Sequence, residues 1–319
     1  LNDKLFERVK TVYDNRANEN LDTEQQMVLQ QYYNAFIRGG ANLSPEDKEK
    51  LKKINSELAV LSLKFGDNQL KETNAYRLVI DNKKDLSGLP EGVVSAAAET
   101  AREAGMEGKW VFTLHNPSII PFLQYADTRA LREQIYKAYI NRGSNQNANN
   151  NWENISKMIS LRVEKAKLLG YPDYASYVID DNMAKTPENV YALCNQIWKA
   201  ALPNAKAEAA ELQKFINRSG GKFKLAPWDW RYYSEKLKKQ KFGLDETEIS
   251  QYFPLEKVRE GAFYVANKLY GVTFTQLHDI PVPHPDALAF EVKDADGSHI
   301  GILYADYFPR ASKGSGAGM

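Results

Sequence analysis

SPEDKEKLKKINSELAVLSLKF, Ser44–Phe65, is the stretch on which the reading of the fold turns. Serine at the head, proline next and acids at Glu46 and Asp47 make an N-cap and first turn. Leu51, Ile54, Leu58, Leu61 and Phe65 then recur at alternating steps of three and four. That spacing lines one apolar stripe along a helix.

The same punctuation recurs in both directions along the chain. Asp22 to Arg38 reads as a helix stopped by Gly39-Gly40, and Glu91 to Ala104, Thr128 to Arg142 and Leu255 to Tyr270 read as helices too. Asn154 to Leu169 is another, stopped by Gly170 and Pro172. Thr186-Pro187-Glu188 opens a helix with Val190, Leu193 and Ile197 on one face; Pro203 is expected to kink or break it before Leu212 and Ile216. Strands are few. Tyr76 to Ile80 and Trp110 to Leu114 are short β-branched or aromatic runs able to pair. Leu288 to Val292 and Ile300 to Phe308 flank the turn signal Lys293-Asp294-Ala295-Asp296-Gly297. SNQNANNN, Ser144 to Asn151, is expected to be a loop. The fold class is therefore mainly α, with one β-hairpin region near the C-terminal end and another near 76–114. The expected organisation is 1–143, a helical part with a small β pair; 152–287, a central helical part; and 288–319, a hairpin region.

Composition excludes some partners. The chain is 43% hydrophobic and 26% charged, and 42 lysines and arginines face 41 acids for a net charge of +1. No global field recruits nucleic acid or an anionic membrane. The basic run KLKKQK, Lys236 to Lys241, reads as a solvated helix end. No apolar run approaches the roughly 20 residues of a membrane span. The single cysteine, Cys194, forms no intrachain disulfide and is expected to be a small buried thiol. A reducing, cytoplasmic setting suits it. Export or a periplasmic location stays open, because the chain starts at Leu1 with no visible leader.

No catalytic constellation stands out. The histidines are His115, His278, His284 and His299, and no pair has the i, i+4 spacing that places two imidazoles on one helix face for zinc. His115 reads as a turn or core histidine. There is no G-x-S-x-G and no phosphate-binding glycine loop. In Trp228-Asp229-Trp230-Arg231-Tyr232-Tyr233 the aromatics either line a channel or lock a helix start into a core, and Asp229 is expected to cap that helix.

LAPWDWRYYSEKLKKQKFGLDETEISQYFPLEKVREG (Leu225–Gly261) resembles a segment of the thimet-oligopeptidase-like zinc metallopeptidases. ANKLYGVTFTQLHDIPVPHPDALAFEVKDADG (Ala266–Gly297) and ILYADYFPRASKGSGA (Ile302–Ala317) follow in the family's order. LRVEKAKLLGYPDYASYVIDDNMAKTPENV (Leu161–Val190) fits the peptidyl-dipeptidase subfamily, and the likeness covers nearly the whole chain. The resemblance implies a two-lobed helical peptidase with a deep channel, acting on short unfolded peptides and releasing C-terminal dipeptides. An internally cutting oligopeptidase is the alternative within the family, and a non-catalytic helical peptide- or protein-binding module the alternative outside it. Zinc is the implied cofactor, held by an H-E-x-x-H helix and a further glutamate. That motif is absent from residues 1–319. The chain is therefore expected to be an internal fragment, inactive by itself, with no catalytic or metal residue of its own. The expected substrate contacts are Gly316 and Ala317, on an edge strand that would hold a peptide by main-chain hydrogen bonds. That strand would be Tyr304 to Phe308 or Ser315 to Met319, and Tyr304 to Phe308 reads equally as an internal structural strand.

Overall fold

The structure, a computed structural model, describes residues 2–314. It is mainly α. Helices α1 (Asp3–Asn15), α2 (Thr23–Arg38) and α3 (Pro45–Ala75) precede β1 (Leu78–Ile80), α4 (Glu91–Glu103) and β2 (Trp110–Phe112). Next come α5 (Asn116–Tyr125), α6 (Arg129–Ile140), α7 (Trp152–Leu168), α8 (Tyr174–Ile179) and α9 (Pro187–Arg218). Then α10 (Pro227–Phe242), α11 (Glu246–Ser250) and α12 (Leu255–Tyr270) lead into β3 (Thr273–Leu277), β4 (Leu288–Lys293) and β5 (His299–Ala305). Two compact units result, one of Leu1–Glu72 with Arg142–Lys206, the other of Thr73–Asn141 with Ala207–Met319.

In the first unit the caps do what the sequence predicts. Asp22 accepts from the Gln25 amide while the Gln25 side chain accepts from the Asp22 amide, a closed capping box at α2. Ser44 Oγ accepts from the Asp47 amide at 3.1 Å and donates to its carboxylate at 3.0 Å. Leu51, Ile54 and Leu61 of the α3 stripe are buried. Further along, the same face turns polar, with Asn68 and Glu72 buried where another leucine would be expected. The asparagine-rich loop explains why. Glu72 accepts from the Gly143 amide and Asn145 Nδ2, both at 2.7 Å, and from Asn147 Nδ2 at 2.6 Å. Asn151 Oδ1 accepts from Asn68 Nδ2 at 3.0 Å and Asn154 Nδ2 at 2.8 Å. A buried carboxylate is tolerated only with such donors, and amide side chains supply them without adding charge.

The second unit holds one apolar cluster. Leu78, Ile80, Phe112, Leu114, Ile119 and Phe122 are among its buried members, and Phe112 and Phe122 pack with ring centroids 4.6 Å apart. Strands β1 and β2 pair antiparallel, Leu78 opposite Phe112. The sheet order β3-β4-β5 is antiparallel throughout, with Phe290 opposite Leu303 and a bulge at Val292/Lys293. Helix α12 packs onto β3, Phe263 stacking on Phe274 at 4.0 Å and meeting Phe290 edge-on at 5.0 Å.

Four expectations are corrected, and of the two outcomes expected at Pro203 the break does not occur, α9 running on through it. The Lys199 carbonyl that loses its bond there lies on an exposed stretch, where water can replace the missing donor. Leu193 and Ile197 are exposed rather than buried, at 58% and 57%, because no described residue packs over that face. Cys194, one position along, is exposed for the same reason. The last strand ends at Ala305, not Phe308, and Asp306 is drawn aside by two cations described below. Asp229 is not an N-cap: Pro227 is the first helical residue of α10, so Asp229 is the third and reaches back to the Ala226 amide at 3.1 Å. Strand β3 and helices α1, α5, α8 and α11 were not anticipated.

Candidate functional site

The aromatic segment at the start of α10 is an ion-paired core element. Asp229 is fully buried. Its carboxylate accepts from Arg129 Nη2 at 2.8 Å and Nε at 3.0 Å, and from Arg132 Nη2 at 3.0 Å. Arg132, 1% exposed, spends its remaining donors on the carbonyls of Ala126, Asp127 and Trp228. Tyr232 donates to Asp127 Oδ1 at 2.6 Å, and burial above all pushes its phenol well above the ordinary range. Burial also raises Asp127, but hydrogen bonds from Tyr232 and Ser87 and the Lys236 ammonium outweigh it, so its carboxyl sits below the usual range. Arg129 and Lys137 stand over the Trp228 ring. These groups are consumed by one another, which makes the segment a clamp between α10 and α5–α6. The basic run that follows behaves as a helix end, with Lys239 paired to Asp245 at 2.7 Å and Lys241 to Glu211 at 2.7 Å.

The segment after β5 is the candidate for peptide contact. The sheet order leaves β5 at an edge, so one side of its backbone has no strand partner among the described residues. Asp306 then gathers the chain. Arg310 forks onto its carboxylate through Nη1 at 3.0 Å and Nη2. Lys313 Nζ lies 2.8 Å from Asp306 Oδ1 and also donates to the carbonyls of Asp306 and Phe308. Asn74 Nδ2, at the end of α3, holds the Ala311 carbonyl at 2.8 Å. Residues 306–313 thereby become a fixed loop rather than a fraying tail. Gly316 and Ala317, the predicted substrate contacts, lie outside the described residues.

Hydrogen bonds from Arg310 first, then Lys313, hold the Asp306 carboxyl down at about 2. A carboxyl lowered on folding stabilises above its unfolded value of about 3.9. That contribution is lost as pH falls through about 2. Limited proteolysis at Arg310 and Lys313 should therefore stay slow at neutral pH and accelerate severalfold in Asp306→Asn. Equal cleavage of both proteins would show that Asp306 does not hold the loop.

Beside this loop is a cavity of about 450 Å³, with Phe112, Val93 and Ala97 as its apolar floor and Asn74, Arg77 and Arg310 at its polar side. His115, the N-cap of α5, also lines it, its Nδ1 3.1 Å from Thr113 Oγ1. Only the Asp306…Arg310…Lys313 spacing could have announced this region in the sequence. Among the described residues no group of three histidines, cysteines, aspartates or glutamates is placed to hold a metal ion. His278, His284 and His299 stay apart from any such set, His284 resting near Asp286 at 3.5 Å and His299 on Glu291 at 3.1 Å. The residues present do not fit zinc. Among the described residues no helix is long and apolar enough to cross a membrane.

The chain is 38% identical to "Dipeptidyl carboxypeptidase" of Escherichia coli over 320 residues, 100% of this chain and 47% of the relative. It is 36% identical to the Salmonella typhimurium protein of the same name over 100% of this chain and 47% of the relative. "Oligopeptidase A" of Escherichia coli is 32% identical over 99% of this chain and 47% of its own length. The chain thus spans about half the length of the curated relatives it matches. The profile of Peptidase family M3 matches residues 122–319, which takes in α10, the three-stranded sheet and the Asp306 loop, and on this evidence the chain belongs to Peptidase family M3.

Proposed function

We propose that these residues are part of a zinc peptidase that releases dipeptides from the C-termini of short, unfolded peptides. The supporting observation is the order of similarity: 38% and 36% identity to the two dipeptidyl carboxypeptidases, against 32% to oligopeptidase A over nearly the same span. Internal cleavage is the second reading, favoured by the oligopeptidase A likeness. In either case the zinc is held by ligands beyond these 319 residues, and the chain alone hydrolyses nothing. In this reading 1–143 is an N-terminal helical part with a small β pair, 152–287 belongs to the wall of the substrate channel, and 288–319 leads into the zinc-binding region. Gly316 and Ala317 hold the peptide backbone as an added strand, where a glycine lets main chains approach closely. The reaction takes place in the cytoplasm, on peptides and not on nucleic acid or membrane.

The test uses the peptidase that contains this sequence, with one peptide prepared with a free and with an amidated C-terminus. Dipeptide release needs the free carboxylate, so amidation is expected to lower kcat/KM at least 100-fold. Equal rates on both would assign internal cleavage instead. Gly316→Pro removes an amide donor from the strand and should raise KM or lower kcat, and no change in either would remove Gly316 from the site.

A further inference from the structure

The cavity beside the Asp306 loop lies wholly within the second unit, walled by α4, β2, the start of α5 and the loop at 309–311. Val93, Ala97, Thr100 and Ala104 line it at steps of four, three and four. One face of α4 therefore makes a wall about 16 Å long, at 1.5 Å per residue. Spread along that wall, the cavity's 450 Å³ or so is a slot about 6 Å across. That is little more than the roughly 5 Å an extended chain occupies in a sheet.

Two charged groups of the lining make no ion pair among the described residues. Arg77 spends Nη1 on the carbonyls of Asn74 and Tyr76, and its Nε–Nη2 edge meets no acceptor among the described residues. Glu103, the last residue of α4, makes neither a hydrogen bond nor an ion pair with any of them. It also stands at the helix end where the dipole disfavours an acid. The other cation of the lining, Arg310, is consumed by Asp306. The cavity thus offers one open positive group, one open negative group and, from Phe112, Val93 and Ala97, an apolar floor.

That pairing of charges selects a ligand. A guanidinium edge fits a carboxylate through two parallel hydrogen bonds. A second anionic group would be repelled by Glu103, whereas an ammonium would be held there. The floor takes up an apolar side chain, and the volume falls in the range of small-molecule sites. We propose that this cavity binds a small zwitterion with an apolar side chain, a free amino acid or a dipeptide, its carboxylate on Arg77 and its ammonium towards Glu103. The proposal stands on the cavity alone and holds whichever bond the peptidase cuts.

The experiment uses the whole peptidase that contains this sequence and measures equilibrium dialysis of tritiated L-phenylalanine and of L-alanyl-L-phenylalanine. Saturable binding is expected, with a Kd of about 1 mM or below. Whichever of the two binds more tightly names the source of the zwitterion. Its N-acetylated and its amidated forms, each missing one charge, should bind at least tenfold more weakly. Arg77→Met and Glu103→Gln, both at exposed positions, should each lower affinity at least tenfold with an unchanged thermal midpoint. An aryl azide on the ring of the tighter ligand should crosslink on irradiation within 93–118 or 309–311. The proposal is overturned if neither zwitterion saturates, if either singly charged form binds as well as its parent, or if either variant binds as wild type does. Crosslinks only outside those residues overturn it equally. Because no arm reads hydrolysis, failure here leaves the dipeptide-release reading untouched.

Discussion

Asp229→Ala is expected to lower the stability of the second unit by about 3–5 kcal/mol, the cost of breaking a buried ion pair by removing one partner. The carboxylate is fully buried and faces two guanidiniums, one of which, on Arg132, is 1% exposed. With alanine in place, Arg132 keeps its carbonyl contacts but holds an uncompensated charge away from water. Arg129 is more exposed and turns to solvent at less cost. Urea unfolding followed by tryptophan fluorescence measures the loss, since Trp228 adjoins the site. Glu46→Ala, which removes one of the two exposed partners of Lys50, serves as the comparison and should leave stability little changed. If the two variants lose equal stability, the Asp229 network is no more than a surface pair.

The second large effect is expected at Glu72. Glu72→Ala leaves the Gly143 amide, Asn145 and Asn147 without their common acceptor. Stranding buried or part-buried donors of this kind costs about 1–3 kcal/mol. The two asparagines can turn to water, whereas the Gly143 amide is buried and cannot. The first unit should therefore lose about 2–3 kcal/mol, and protease cleavage within 144–151 should rise at least tenfold. Glu72→Gln separates charge from shape. Its oxygen can still serve Gly143 and Asn145, but its amide confronts Asn147 and loses that bond. An intermediate loss is the expected result. Wild-type stability in Glu72→Ala would mean that the loop is held by the Asn68–Asn151–Asn154 contacts instead.

Local chemistry made the helices legible. Asp22 with Gln25, and Ser44 with Pro45, are starts that any context would honour, and they appear where the pattern places them. The pairing of Leu78–Ile80 with Trp110–Phe112 and the hairpin about Asp294 were equally readable. What the sequence hid was long-range. The stripe of α3 continues as Asn68 and Glu72, and only the loop some seventy residues later gives a polar buried face its reason. Asp229 looked like a cap because its partners, Arg129 and Arg132, lie on another helix. Leu193 and Ile197 carry a core pattern that no described residue covers, and periodicity cannot report which neighbour is present. Thr273–Leu277 alternates too weakly to announce a strand, yet β4 recruits it. Of the predicted site, the fold around it was readable, while Gly316 and Ala317 lie beyond the described residues.

The asparagine loop also sets a clock on the molecule. Asn145 and Asn147 are exposed residues whose side-chain amides donate to Glu72. Spontaneous hydrolysis of either amide would turn a donor into a second carboxylate facing the first. Two such groups cannot both stay ionised at hydrogen-bond distance, so one takes up a proton or the loop lets go. Ageing of this protein in storage should thus register first as a one-dalton gain at Asn145 or Asn147, followed by nicking of the same loop.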